Sequence, residues 1–98
     1  MLRNTIHDLV EKALTHLQQD GILALNPLPE VRIEYAPSPK FGHFSSNIAL
    51  LVAPLLKKSP REVGELIRGA LTRSDLVQEK TLQKIEVAEA GFINFFLT

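Results

Sequence analysis

Residues 84–97, Lys84-Ile85-Glu86-Val87-Ala88-Glu89-Ala90-Gly91-Phe92-Ile93-Asn94-Phe95-Phe96-Leu97, read as a β-hairpin and decide the fold. Ile85 and Val87 alternate with Lys84, Glu86 and Ala88, and Ile93, Phe95 and Leu97 alternate with Phe92, Asn94 and Phe96. This is the two-residue period of strands buried on one face. Side chains paired across an antiparallel ladder share a face, and a slip of one residue would reverse all of them. Pairing Val87 with Ile93 and Ile85 with Phe95 puts the aliphatics on one side and leaves Glu89, Ala90 and Gly91 as the loop. Glycine in the last loop position suits the three-residue turn, which needs a left-handed residue there. The opposite face carries Lys84, Glu86, Ala88, Phe92, Asn94 and Phe96, so two aromatics flank an amide on the side expected to meet solvent.

Outward from the hairpin, helices precede it. Ser59-Pro60-Arg61-Glu62 is a start signal, with Ser59 as N-cap, proline in the first turn and Glu62 completing a capping box. It predicts a helix over 60–73 that buries Val63, Leu66, Ile67, Ala70 and Leu71, followed by a polar connector. Upstream, Asn47-Ile48-Ala49-Leu50-Leu51-Val52-Ala53-Pro54-Leu55-Leu56 is apolar nearly all round and predicts a central, well-buried helix. Ser45 or Ser46 would cap it, and Pro54 would cost it one backbone hydrogen bond. At the start of the chain, Leu2, Ile6, Leu9, Val10, Ala13, Leu14 and Leu17 form one helical stripe over 3–19, closed by Asp20-Gly21. Between these helices, Ile22–Glu30 is a connector with two prolines. Val31, Ile33 and Tyr35 then form a half-buried strand, and a short strand is expected near Phe41 to Phe44. The prediction is an α+β fold in two layers, an antiparallel sheet of three to four strands with about three helices on one face.

The chain has 98 residues, which fits one domain, and 45% hydrophobic with 22% charged residues is the balance of a folded chain. Eleven basic residues offset eleven acidic ones, so no whole-molecule field draws the chain to nucleic acid or an anionic membrane. Any such binding rests on a local patch. There is no cysteine, which excludes disulfides and thiolate chemistry and agrees with a reducing, cytoplasmic setting. The three histidines are scattered and make no metal cage. No segment approaches the length of a membrane span, and the N-terminus lacks the apolar core of a signal peptide, so a soluble, unprocessed chain is expected.

Catalytic chemistry finds little support. No Gly-x-Ser-x-Gly elbow and no glycine-rich phosphate loop occur, and His43 beside Ser45 and Ser46 reads as a loop residue before helix-capping hydroxyls. Nucleic-acid binding has more. Phe92 offers a ring for stacking on an unpaired base, and the Asn94 amide two residues on can hydrogen-bond its edge. Lys40, Lys57, Lys58, Arg61 and Arg68 fall near the ends of the middle helices, where some can converge on phosphates. The competing reading is a protein-interaction or interdomain docking module, with Phe92 and Phe96 packed against a partner.

Pro39-Lys40, Gly42 through Asn47-Ile48-Ala49, then Ser59-Pro60-Arg61-Glu62, then Gly91-Phe92-Ile93-Asn94-Phe95 together give a pattern that resembles the N-terminal appended domain of arginyl-tRNA synthetases. The resemblance covers essentially the whole chain. It implies a parent class I ligase that joins arginine to its tRNA with ATP and Mg, the catalytic domain lying later in the same chain with its HIGH-like and KMSK-like motifs. This domain alone is then non-catalytic, monomeric, and holds no cofactor. It also implies that the domain touches the D-loop at the outer corner of tRNA, not DNA or membrane, with Phe92 and Asn94 at an unpaired base and Lys40 at phosphate. Asn47 belongs to the pattern and is weighted as a residue that fixes the loop. The chain departs from the family where His43 replaces an acidic residue and where Glu89-Ala90-Gly91 replaces a Gly-Pro-Gly-like turn.

Overall fold

The computed structural model of the chain describes residues 2–24, 28–73 and 82–97. The polar connector expected after Ser74, and part of the connector before Val31, lie outside those residues. The elements run α1 (Leu2–Gln19), β1 (Glu34–Tyr35), a 3-10 turn (Pro39–Phe41), β2 (Phe44–Ser46), α2 (Ile48–Leu56), α3 (Pro60–Leu71), β3 (Leu82–Val87) and β4 (Ile93–Leu97). The strands form one antiparallel sheet in the order β1-β2-β4-β3, with the helices on one face. The two-layer α+β architecture is the one the sequence predicts.

The hairpin register is also as read. Val87 pairs with Ile93, Ile85 with Phe95 and Glu86 with Asn94. The pairing extends to the loop, where Ala88 N–H donates to the Phe92 carbonyl at 2.8 Å and Gly91 N–H to the Ala88 carbonyl at 2.8 Å. Between Leu82 and Lys84 the register shifts, which turns both Leu82 and Ile85 into the core although they stand three residues apart. β4 lies between β2 and β3, and its Ile93 and Phe95 are fully buried.

The core joins this face to Ile6, Val10, Ala13, Leu14 and Leu17 of α1, Ile48, Ala49, Val52 and Ala53 of α2, and Val63, Ile67 and Leu71 of α3. Burial of such side chains contributes roughly 1.5–3 kcal/mol each. α3 opens as its cap signal requires, with Glu62 N–H donating to Ser59 Oγ at 3.1 Å. The Glu62 carboxylate lies 3.7 Å from Lys58 Nζ, so it turns to a neighbouring cation. α2 corrects the expectation of an all-round buried helix, because Leu51 and Leu55 are exposed. A run of apolar residues has no polar side to mark which face meets water. The cap of α2 comes from Ser46, whose Oγ accepts from Ile48 N–H at 3.2 Å.

The middle segment differs in detail. Val31 and Ile33 are buried as the alternation predicts, but the ladder itself begins only at Glu34 and Tyr35 is 72% exposed. Tyr35 sits at the sheet margin, beside the Phe44 ring at 5.3 Å and under the Arg3 guanidinium at 5.7 Å. The short strand falls at Phe44–Ser46, because Pro39–Phe41 forms a 3-10 turn first. Each margin of the sheet receives an arginine from a helix: Arg3 Nε donates to the Ile33 carbonyl and Arg68 Nε to the Ile85 carbonyl, both at 2.8 Å. These bonds satisfy acceptors that edge segments would otherwise present to other chains.

Gly91 fixes how the hairpin meets the helices. Its φ is +107°, and a Cβ there would stand 2.5 Å from Pro60 Cβ and 3.0 Å from the Pro60 carbonyl carbon. Gly91→Ala therefore adds backbone strain to a collision with the start of α3, and is expected to cost about 2 kcal/mol or more. Gly69→Ala, in open space on α3, should instead stabilise by about 0.5–1 kcal/mol. Urea unfolding of the two variants beside the parent chain checks both signs.

Candidate nucleic-acid interface

The sheet face opposite the helices is built from alternate residues of the strands. One row across it runs Glu34, Ser45, Asn94, Glu86, set by the pairs Glu34–Ser45, Ser45–Asn94 and Asn94–Glu86. Phe92 and Phe96 stand on the same face two residues to either side of Asn94, roughly 13 Å apart along the strand. The sequence reading placed these three residues together, and the strand period does so.

The two rings have different surroundings. Phe92 is 42% exposed beside the hairpin turn. Phe96 is half-buried: Lys84 Nζ lies 4.5 Å from its centroid, and the backbone of Gly42 comes close to the ring, where a Cβ would stand 3.3 Å from Phe96 Cδ1. That same Cβ would meet the Phe95 carbonyl oxygen at 2.5 Å, so only glycine lets the 3-10 turn approach β4. Phe96 thus fits the packing alternative raised for it from sequence, and Phe92 remains the free ring.

Asn94 corrects the sequence expectation in one respect. It lies on the open face, but it is only 6% exposed. A short amide in a central strand, with strands on both sides and a phenylalanine above and below, has little surface left. Among the described residues its side chain has no hydrogen-bond partner. Ser38 Oγ is the one fully buried side-chain polar atom without a partner there, so the Asn94 amide keeps a path to solvent. An unpaired amide in such a place loses stability unless a ligand or water meets it.

The basic residues do not gather into one patch. Lys58 pairs with Glu62, and Arg68 is committed to the Ile85 carbonyl and to Glu65 at 3.4 Å. Lys40 lies on the 3-10 turn, its Nζ 5.1 Å from the Phe41 centroid, at the Phe96 end of the face and away from Phe92. Lys84, which sequence reading did not single out, stands on the open face beside Asn94's row, 3.6 Å from Glu86. Its signal was present in the register, since Lys84 pairs with Phe96. Lys57 and Arg61 are exposed at the α2–α3 junction, on the side where Pro60 meets Gly91.

Asn47 stands before α2, where its backbone carbonyl accepts from Leu50 N–H at 2.9 Å and its side chain makes no cap bond. His43 N–H donates to the Phe95 carbonyl at 2.8 Å, and its ring Nδ1 accepts from Leu97 N–H at 3.1 Å. It extends the β2–β4 pairing as a structural residue. His7, Asp8 and Glu11 offer ligand atoms within 4.8 Å of one another on one turn of α1, an arrangement their mutual ion pairs at 3.3 and 3.7 Å account for. Gly42, Gly64 and Gly91 are each consumed by close packing, which leaves none of them lining a cradle for nucleotide phosphates.

The geometry separates a platform from a support. Phe92→Ala should lower stability by well under 1 kcal/mol, whereas Phe96→Ala should cost about 2 kcal/mol, because it empties the space between Lys84 and Gly42. Thermal unfolding of both variants is the check.

The match to the family model for the arginyl tRNA synthetase N terminal domain spans residues 4–97. An arginine–tRNA ligase of Pseudomonas putida is 36% identical over 95 residues, covering 97% of this chain and 16% of the relative. One of Hydrogenovibrio crunogenus is 31% identical over 96 residues, covering 98% of this chain and 15% of the relative. The chain thus spans about one-sixth of the length of these curated relatives. Among solved structures, the arginyl-tRNA synthetase of Thermus thermophilus superposes with a TM-score of 0.75 at 19% identity, over 100% of this chain and 14% of that one. That of Plasmodium falciparum gives 0.77 at 17% identity, over 99% of this chain and 16% of that one. These two likenesses establish the shared fold, and the family match together with the curated relatives establishes the lineage: the chain belongs to the arginyl-tRNA synthetase N-terminal domain family.

Proposed function

We propose that the chain is the tRNA-recognising domain of an arginine–tRNA ligase, that it contacts the D-loop, and that ATP-dependent ligation of arginine belongs to a separate catalytic domain. In this reading residues 1–98 are one domain, Phe92 stacks on an unpaired D-loop base, and Asn94 hydrogen-bonds the edge of that base. Lys40 contacts phosphate at the other end of the face. The observation that carries the proposal is the pairing of an exposed ring at Phe92 with an Asn94 amide that is 6% exposed yet unpartnered among the described residues. Stacking is tolerant of base identity, and the amide adds a preference.

Zero net charge is compatible with this role. The affinity would come from a few contacts on one face and not from a general field. Docking on another protein fits the same face less well. With Phe96 packed against Lys84 and Gly42, Phe92 is the exposed ring on a face that also bears Glu34 and Glu86, which is little apolar area for a stable interface.

The test is binding of a tRNA transcript bearing an arginine anticodon, followed by NMR shifts or fluorescence anisotropy at two salt concentrations. Phe92→Ala and Asn94→Ala should each weaken binding about tenfold, since base stacking is worth about 1–3 kcal/mol. Lys40→Met should weaken it less and flatten the salt dependence by about one phosphate contact. Unchanged affinity in both Phe92→Ala and Asn94→Ala, in folded protein, would sink the proposal.

A further inference from the structure

Two adjacent serines, read from sequence as interchangeable caps of α2, have different partners. Ser46 takes the cap, its Oγ accepting from Ile48 N–H at 3.2 Å, and it pairs across β4 with Ile93. Ser45 is one step along the strand, so its side chain points to the opposite, open face. There it stands between Glu34 on β1 and Asn94 on β4. It is 8% exposed, and among the described residues its hydroxyl has no hydrogen-bond partner. It is also absent from the fully buried unpaired atoms, so the hydroxyl, like the Asn94 amide, keeps some exposure to solvent.

We propose that Ser45 is a second base-reading residue, acting with Asn94 on the edge of the base that stacks on Phe92. The inference rests on the RNA-binding reading above and adds a specificity-determining residue to it. Side chains directly opposite in neighbouring strands have Cβ atoms about 5 Å apart. The amide supplies two donors and an acceptor, and the hydroxyl one donor and an acceptor that rotate to suit. Both side chains are short and lie lower than the flanking phenylalanine rings. A base entering beside Phe92 with its face on the ring therefore brings its edge down onto this pair. One amide alone leaves the base free to pivot about the stacking contact, whereas two groups on adjacent strands fix its rotation and read two positions of its edge. A serine held for packing alone would have no need of an open hydroxyl, since burying an unpaired polar group costs stability.

The 98-residue chain is titrated with the tRNA transcript and with transcripts in which each unpaired D-loop nucleotide is changed in turn. Ser45→Ala should lose about three- to tenfold in affinity, the size of one or two hydrogen bonds. The slope of log Kd against log salt should not change, because no phosphate contact is lost. The ranking among D-loop variants should narrow, and Ser45→Thr, which keeps the hydroxyl, should bind like the parent chain. The melting temperature of Ser45→Ala should not fall below the parent value, because the hydroxyl has no partner among the described residues to lose. Unchanged affinity and ranking in Ser45→Ala, while Phe92→Ala still weakens binding, would overturn the assignment and leave the base-stacking reading standing. A fall in melting temperature matching the loss of binding would also overturn it, in favour of a structural serine. If Phe92→Ala, Asn94→Ala and Ser45→Ala all bind as the parent does, the RNA-binding reading fails and Ser45 with it.

Discussion

β4 is hydrogen-bonded on both sides, to β2 through Phe44, Ser45 and Ser46 and to β3 through the hairpin. A strand held twice over cannot slip, because a shift of one residue would break two ladders and turn Ile93 and Phe95 out of the core. That constraint fixes the rest. With Ile93 and Phe95 locked under the helices, Asn94 has nowhere to point but the open face, and so have Phe92 before it and Phe96 after it. The helices are positioned from the same strand pair, since the hairpin turn fits against Pro60 only because Gly91 has no side chain. The open face and the core are thus two sides of one alternation, and neither can be altered in register without the other.

The margins of the sheet are held in a complementary way. Arg3 from α1 and Arg68 from α3 each donate to a carbonyl at one edge, at 2.8 Å. A hydrogen bond from a charged donor is worth more than a neutral one, and here it ties a helix to the sheet beside the apolar contacts of the core. This use of arginine explains part of why the basic residues form no patch. Arg3, Arg68 and Lys58 are engaged within the fold, and among the other described cations Lys40 lies on the 3-10 turn, Lys84 on β3 and Lys57 and Arg61 at the α2–α3 junction, with Lys12, Arg32 and Arg73 elsewhere. In the proposed function, phosphate contacts then supply a modest share of the affinity, and the base contacts carry more of it than is usual for a basic RNA-binding surface.

How much of this was legible depended on whether the sequence marked both faces of an element. The hairpin was readable to the residue, because aliphatics alternate with polar and aromatic residues on both strands, and Glu89-Ala90-Gly91 supplied the turn. α3 was readable for the same reason at its start, where Ser59 and Pro60 name the first turn. α2 was not, because a run from Ile48 to Leu56 without a polar residue gives a helix but not its orientation, so Leu51 and Leu55 came out on the surface. β1 and β2 have two and three residues, too few for a period to show. At the site, Phe92 and Asn94 could be placed on one face from register alone. The burial of Asn94 could not, because it depends on β2 arriving on its other side, a contact between segments some fifty residues apart. Nor could the division of labour between Ser45 and Ser46, since a cap motif is satisfied equally well by either neighbour until the strand phase decides between them.

The contrast between Phe92 and Phe96 shows why residue type alone does not name a site. Both are phenylalanines on the same strand face, and both flank the same amide. Phe96 lies where the 3-10 turn approaches β4, with Gly42 beside its ring edge and Lys84 Nζ 4.5 Å from its centroid. A ring engaged by a cation and by neighbouring backbone contributes to packing, and offers less free surface to a base. Phe92 lies beside the turn built from Glu89, Ala90 and Gly91 and is 42% exposed among the described residues. Stacking needs one free aromatic face with a rigid backing, and β4 provides the rigidity at both positions. Only the hairpin end leaves the face free, so the end of a strand that is well fixed by its neighbours is where a fold of this kind can present a ring to a ligand without giving up its core.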